Sequence, residues 1–264
     1  MRRPSFVLAL GFLAALAMAA GCGPSAPTGP DPATGTTVRP APGDHTVVFS
    51  GPGGAEASYV VHAPPRYSPA TKVALVVVFH GSPGSPEGIS AMSTMDEVAD
   101  EHGFLVVYPD TITDPATVIA LLDHAVPTWN VDPARTYAAG FSRGASTVYS
   151  LAEQYGDRFA AVAPVSGTGG TGSTGTPVSL ITFQGGRDRL RPTFPQTNER
   201  WATAHRCAAT TPQPAVVGEM AAHLSASVCA EGTEHLVYNV PEMGHDWPAA
   251  ATSLIWEFFD RHSA

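Results

Sequence analysis

The run Val73 to Phe79, Val-Ala-Leu-Val-Val-Val-Phe, holds no polar residue and four valines. A strand with one wet face alternates apolar and polar residues, whereas a strand buried on both faces does not. The β-branched content favours a strand over a helix. Such a run demands cover above and below, which helices on both faces of a sheet supply. Phe104–Tyr108 repeats the signature, and Thr136–Ala139, Ala161–Val165, Val178–Phe183 and His235–Val240 are further candidate strands. Helical patterns lie between them. Ser85–His102 starts at a possible N-cap and stops before Gly103, and Asp114 to about Val126 is stopped by Pro127. Arg143–Tyr155, Asn198–Arg206 and Ala249–His262 complete the set. His45–Phe49 and Ala57–Ala63 read as an opening strand pair around Gly51-Pro52-Gly53-Gly54. The expectation is an α/β domain over residues 45–264, with a mostly parallel central sheet. Functional side chains in such sheets gather at the carboxyl ends of the strands.

The first 22 residues have a different character. Arg2 and Arg3 precede an apolar run from Phe6 to Ala20, interrupted by Gly11. It is shorter than the roughly 20 residues of a membrane span and reads as an export signal. It ends Ala19-Ala20-Gly21-Cys22, similar to a bacterial lipobox except for Ala19 where leucine is usual. Lipidation of Cys22 would anchor the chain to a bacterial membrane. Residues 23–44 are ten-fold Gly or Pro in 22 positions and read as a disordered tether. The whole chain carries 14 basic and 23 acidic residues, for a net charge of −9. Removal of residues 1–21 would leave 12 basic against 23 acidic residues, or −11. That balance argues against nucleic acid as a partner. No C-x-x-C pair and no H-E-x-x-H occur, so neither a metal nor a cofactor is expected, and a monomer is.

One motif carries chemistry. Gly140-Phe141-Ser142-Arg143-Gly144 is a G-x-S-x-G sequence between a predicted strand and a predicted helix. The glycines keep side chains out of a strained turn, and Ser142 sits at its tip. A serine hydroxyl needs a base to take its proton. Two strand ends downstream offer partners in the expected order: Asp188 after Val178–Phe183, and His245 after His235–Val240. The amide of Arg143, at the start of the helix, and that of Ser82, in His80-Gly81-Ser82-Pro83-Gly84, are candidate oxyanion donors. His80 is read as a loop-fixing hydrogen-bonding residue. Trp247, two residues after His245, is a candidate for the substrate cleft, although core packing explains it equally well. Trp201 and Trp256 read as core.

With these residues in place, the chain resembles the α/β-hydrolase esterase family of polyhydroxybutyrate depolymerases and feruloyl esterases, which includes bacterial lipoproteins. The matching stretches are Val76–Ser82, Gly103–Asp110, Val131–Ser142, Phe159–Gly167, Gly244–Pro248 and Leu254–Phe259. The resemblance implies Ser142 as nucleophile, Asp188 as acid and His245 as base. It also implies a bridge between Cys207 and Cys229, which export to an oxidising compartment would allow. A closed loop of this size gains roughly 3 kcal/mol in the chain-entropy model. Two departures stand out: the family's Trp-bearing loop after Tyr108-Pro109-Asp110 is missing, and Ala145 replaces a frequent glycine. No insertion is long enough for a large lid. The expected activity is hydrolysis of short-acyl, hydroxyalkanoate or aryl- or polysaccharide-linked esters by an exported enzyme. A peptidase of the same fold, or a surface lipoprotein with a relic site, is the alternative.

Overall fold

The computed structural model describes residues 39–111, 114–170 and 175–264. The predicted signal, Cys22 and most of the predicted tether lie outside the described residues. The first strand, β1 (Gly43–Ser50), begins at the end of the stretch read as tether. It pairs antiparallel with β2 (Glu56–Ala63). Next come β3 (Val73–Phe79), α1 (Pro86–Ser93), α2 (Met95–His102), β4 (Leu105–Pro109) and α3 (Pro115–Thr128). They are followed by β5 (Val131–Phe141), α4 (Arg143–Tyr155), β6 (Ala161–Val165), β7 (Ser179–Gly185) and α5 (Phe194–Ala204). The chain ends with β8 (Gln213–Val217), β9 (Met220–Val228), β10 (Glu234–Val240) and α6 (Ala249–Asp260).

The sheet order is β1-β2-β4-β3-β5-β6-β7-β10-β9-β8. The six strands from β4 to β10 in that order run parallel, and the outer pairs at both ends are antiparallel. Both faces are covered, as the valine run requires. Ala74, Val76 and Val78 point into one core with Met95 and Ala99 of α2 and Ile255 and Phe259 of α6. Leu75, Val77 and Phe79 point into the other, with Leu121 and Leu122 of α3 and Val148 and Leu151 of α4. From β3 the chain moves to β4 on one side, then crosses to β5 on the other. The direction of winding therefore reverses between β3 and β5, which opens a crevice at their carboxyl ends.

Several boundaries differ from the sequence reading. Ser85–His102 is two helices, because Thr94 adopts a left-handed conformation (φ 52°, ψ 27°) that ends α1 and starts α2. The N-cap is as expected: Ser85 Oγ accepts the Gly88 N–H. Pro127 does not stop α3 at Val126; the helix ends two residues later, at Thr128. Asp114 caps α3 by accepting the Thr117 N–H at 3.0 Å. Helix α5 begins four residues before the predicted Asn198. The hairpin of β8 and β9 was not predicted at all, since its Ala- and Ser-rich sequence alternates weakly and it lies at a sheet edge. Cys207 and Cys229 form a disulfide that ties the segment after α5 to the end of β9. Trp201 and Trp256 are in the core. Among the described residues no helix is long and apolar enough to cross a membrane.

Candidate active site

Ser142 stands between β5 and α4 with φ 55° and ψ −113°, a conformation strained for any residue with a side chain. Four close approaches hold it there. A Cβ on Gly140 would fall 2.5 Å from Gly144 O, and one on Gly144 would fall 2.3 Å from Phe79 O. A Cβ on Gly167 would meet Ser142 O at 2.6 Å and the Ala145 methyl at 2.4 Å. On the other side, one on Gly81 would stand 3.3 Å from Ser142 Cβ. The two motif glycines thus let α4 dock against β3, and Gly167 faces Ala145. Serine at a helix N-cap usually bonds to the first turn. Here the strained backbone turns the hydroxyl away, and no such cap bond forms.

The Ser142 Oγ instead lies 2.8 Å from His245 Nε2, and His245 Nδ1 lies 2.9 Å from Asp188 Oδ2. A carboxylate oxygen only accepts, so the imidazole proton belongs on Nδ1 and Nε2 is free to accept from Ser142. The Asp188 side chain is fully buried, while that of His245 is 19% exposed. The second carboxylate oxygen accepts the Leu190 N–H at 2.8 Å. A pair of glycines lets the loops of Asp188 and His245 touch. A Cβ on Gly185 would lie 2.3 Å from Gly244 O, and one on Gly186 would lie 2.4 Å from Pro241 O. The Gly186 and Arg187 amides donate to Val240 O and Met243 O across the same seam. The Phe141 ring lies under that of His245, with centroids 5.0 Å apart.

Arg143 is the first residue of α4, so its amide belongs to the open N-terminus of that helix. Ser82 follows Gly81, whose backbone packs on Ser142. Both candidate donors therefore lie on the two segments that bracket the hydroxyl. His80 Nδ1 donates to Gly81 O at 2.7 Å and fixes that loop. Trp247 does not line the cleft. It is 2% exposed, and its indole N–H donates to Thr252 Oγ1 of α6 at 2.9 Å, so it anchors the His245 loop from beneath.

The sequence reading missed a second anchor. Ser166, at the end of β6, is fully buried with φ 48°. Its hydroxyl donates to Asp246 O at 2.7 Å, next to His245, and its N–H donates to Phe183 O of β7. The partner is 80 residues away, and a Ser-Gly pair after an apolar strand gives no local signal of it.

No family model matches the chain. It is 28% identical to feruloyl esterase B of Neurospora crassa over 117 residues, 37% of this chain and 40% of that protein. It is 30% identical to a bifunctional acetylxylan esterase/xylanase of Neocallimastix patriciarum over 118 residues, 40% of this chain and 17% of that one. The chain spans less than half the length of the curated relatives it matches. Among solved structures, an acetyl xylan esterase from Aspergillus awamori superposes with a TM-score of 0.66 at 15% identity, covering 82% of this chain and 99% of that one. A feruloyl esterase module from Clostridium thermocellum, complexed with sinapinate, gives 0.60 at 14% identity, over 85% and 90%. The chain thus has the α/β-hydrolase fold, and its sequence is similar to those of feruloyl and acetylxylan esterases.

Proposed function

We propose that this protein is a serine carboxylic ester hydrolase. The observation that carries the reading is the unbroken hydrogen-bonded series Ser142–His245–Asp188 on a strained turn at the strand ends. His245 Nε2 takes the Ser142 proton as Oγ attacks the ester carbonyl. The amides of Arg143 and Ser82 hold the oxyanion, and buried Asp188 stabilises the imidazolium. The tetrahedral intermediate collapses, the carbon–oxygen bond to the alcohol breaks, and His245 gives its proton to that oxygen. Water, deprotonated by the same nitrogen, then releases the acid and restores Ser142. Ser142, His245, Asp188 and the two amides complete these steps without a cofactor. The names of the relatives favour a feruloyl or acetyl ester of a polysaccharide as substrate, with hydroxyalkanoate esters in the same chemical class.

Two measurements test the reading. Purified Ser142→Ala should lose ester turnover and fluorophosphonate labelling while keeping its melting temperature. Loss of one member leaves only about 10³–10⁴-fold over water. Retention of more than a few per cent of wild-type turnover would overturn the assignment. We propose further that residues 1–22 direct export and that a lipid on Cys22 anchors the enzyme, on the strength of the lipobox-like end. Cys22→Ser should then move from the membrane fraction to the soluble one, with soluble-ester turnover retained. A variant still pelleting with membranes after a high-salt wash removes the anchor from Cys22.

A further inference from the structure

Arg189 brings a positive charge to the base of this site. Its Nη2 lies 3.5 Å from His245 Nε2, the same nitrogen that meets Ser142 Oγ. A guanidinium only donates, so it faces Nε2 in its unprotonated form. Catalysis as read above must put a proton on that nitrogen, and a neighbouring cation opposes the charge that results. For a neutral ester, Arg189 is a handicap.

No carboxylate among the described residues neutralises its charge. Among the described residues, Arg135, Arg158, Arg187 and Arg261 pair with Asp260, Asp123, Glu242 and Glu234; Arg189 is among the arginines that pair with no carboxylate, and it is the one that reaches His245 Nε2. Asp246, beside His245, is turned onto the Trp247 N–H at 2.8 Å. Nor does the Arg189 side chain build its loop, which is held by backbone. Leu190 N–H donates to Asp188 Oδ1, Arg191 N–H to Asp188 O, and Arg187 N–H to Met243 O. An exposed, unneutralised guanidinium thus stands at the reacting nitrogen of a chain with an excess of acid.

We propose that Arg189 receives a carboxylate carried by the alcohol part of the ester, so that the preferred substrates are anionic esters. The proposal rests on the serine esterase reading. The side follows from the proton path: the leaving oxygen must come within hydrogen-bond reach of His245 Nε2, roughly 3 Å, to be protonated. A guanidinium beside that nitrogen therefore faces the alcohol and not the acyl group. A bound carboxylate engages its fork and takes up its charge. One contact then both selects the substrate and removes the opposition to the imidazolium.

The test compares kcat/KM for 3-acetoxybenzoate and its methyl ester, which share an acyl group and differ in one charge on the leaving phenol. The wild type should favour the anion by about tenfold, as one charge-assisted contact allows. Arg189→Ala should bring the ratio to about one or lower, with faster turnover of the methyl ester. Arg189→Lys should keep part of the preference, and added salt should erode it. A wild-type ratio at or below one, or a ratio that Arg189→Ala leaves in place, overturns the proposal. Ser142→Ala separates this outcome from failure of the esterase reading. Turnover that survives Ser142→Ala sinks that reading, whereas Ser142-dependent turnover indifferent to Arg189 sinks only the anion preference.

Discussion

Ser142 and Ser166 both follow parallel strands, and both hold positive φ angles. Only the first was legible in the sequence, because its strain needs glycine on either side and so leaves a pattern. Ser166 does its work through a carbonyl far along the chain, and the pair Gly185-Gly186 likewise serves a seam with another loop. Such residues are set by tertiary proximity, which no window of sequence contains. The choice between cleft and core for Trp247 stayed open in the sequence for the same reason: its direction depends on Thr252, which in turn donates to Ser93 O across the helix layer. Ser166 also yields a prediction. Removing its hydroxyl leaves the Asp246 carbonyl without that donor and frees the segment carrying His245. Ser166→Ala should cost about 1 kcal/mol of stability and lower kcat several-fold at nearly constant KM. Equal kcat in the two proteins would show that the loop is held without it.

At the level of elements, the strands buried on both faces were the most legible parts, because continuous apolar runs have few other uses. The β8–β9 hairpin was not, since an edge pair with one wet face needs little apolar patterning. That edge places an unusual pair against the sheet. His205 follows α5 and His235 lies on β10, and both Nε2 atoms are buried without a hydrogen-bond partner. The Trp201 ring packs on His205, with centroids 4.2 Å apart. Burial, then the nearby His205, lowers the His235 pKa from 6.5 to about 4, and burial lowers that of His205. The sign follows. Above pH 6.5 the ring is neutral folded or unfolded, and its burial carries no protonation penalty. As pH falls from 6.5 toward 4 the unfolded chain takes a proton that the folded chain refuses. The fold should lose about 3 kcal/mol across that window from His235 alone. Urea melts at pH 7.0 and 4.5 should show a smaller drop for His235→Leu than for wild type. Parallel drops would mean that this ring takes up its proton in the fold.

At the level of the whole described domain, apolar surface is committed to two cores on either face of the sheet, and little is left for the strand ends. The exposed large apolar side chains among the described residues are Val48, Met92, Val216 and Val228, on β1, α1, β8 and β9. None lies on the loops that follow β3, β5, β7 or β10. Those loops are built instead of small and polar residues: residues 80–85 read His-Gly-Ser-Pro-Gly-Ser, and residues 186–189 read Gly-Arg-Asp-Arg. Phe141 is the apolar ring at the base, and it is nearly covered. An acyl chain gains about 0.8 kcal/mol per CH₂ only where that CH₂ leaves water, so this site rewards the first few carbons and none beyond them. The kcat/KM for p-nitrophenyl esters should therefore peak between acetate and butyrate and fall by octanoate. A lid enzyme gains activity when a lipid interface opens it. Here only five residues separate β4 from α3, and turnover should show no jump as substrate passes its solubility limit. A preference for dodecanoate, or a step in rate at the solubility limit, would require an apolar channel, which these loops lack the side chains to line.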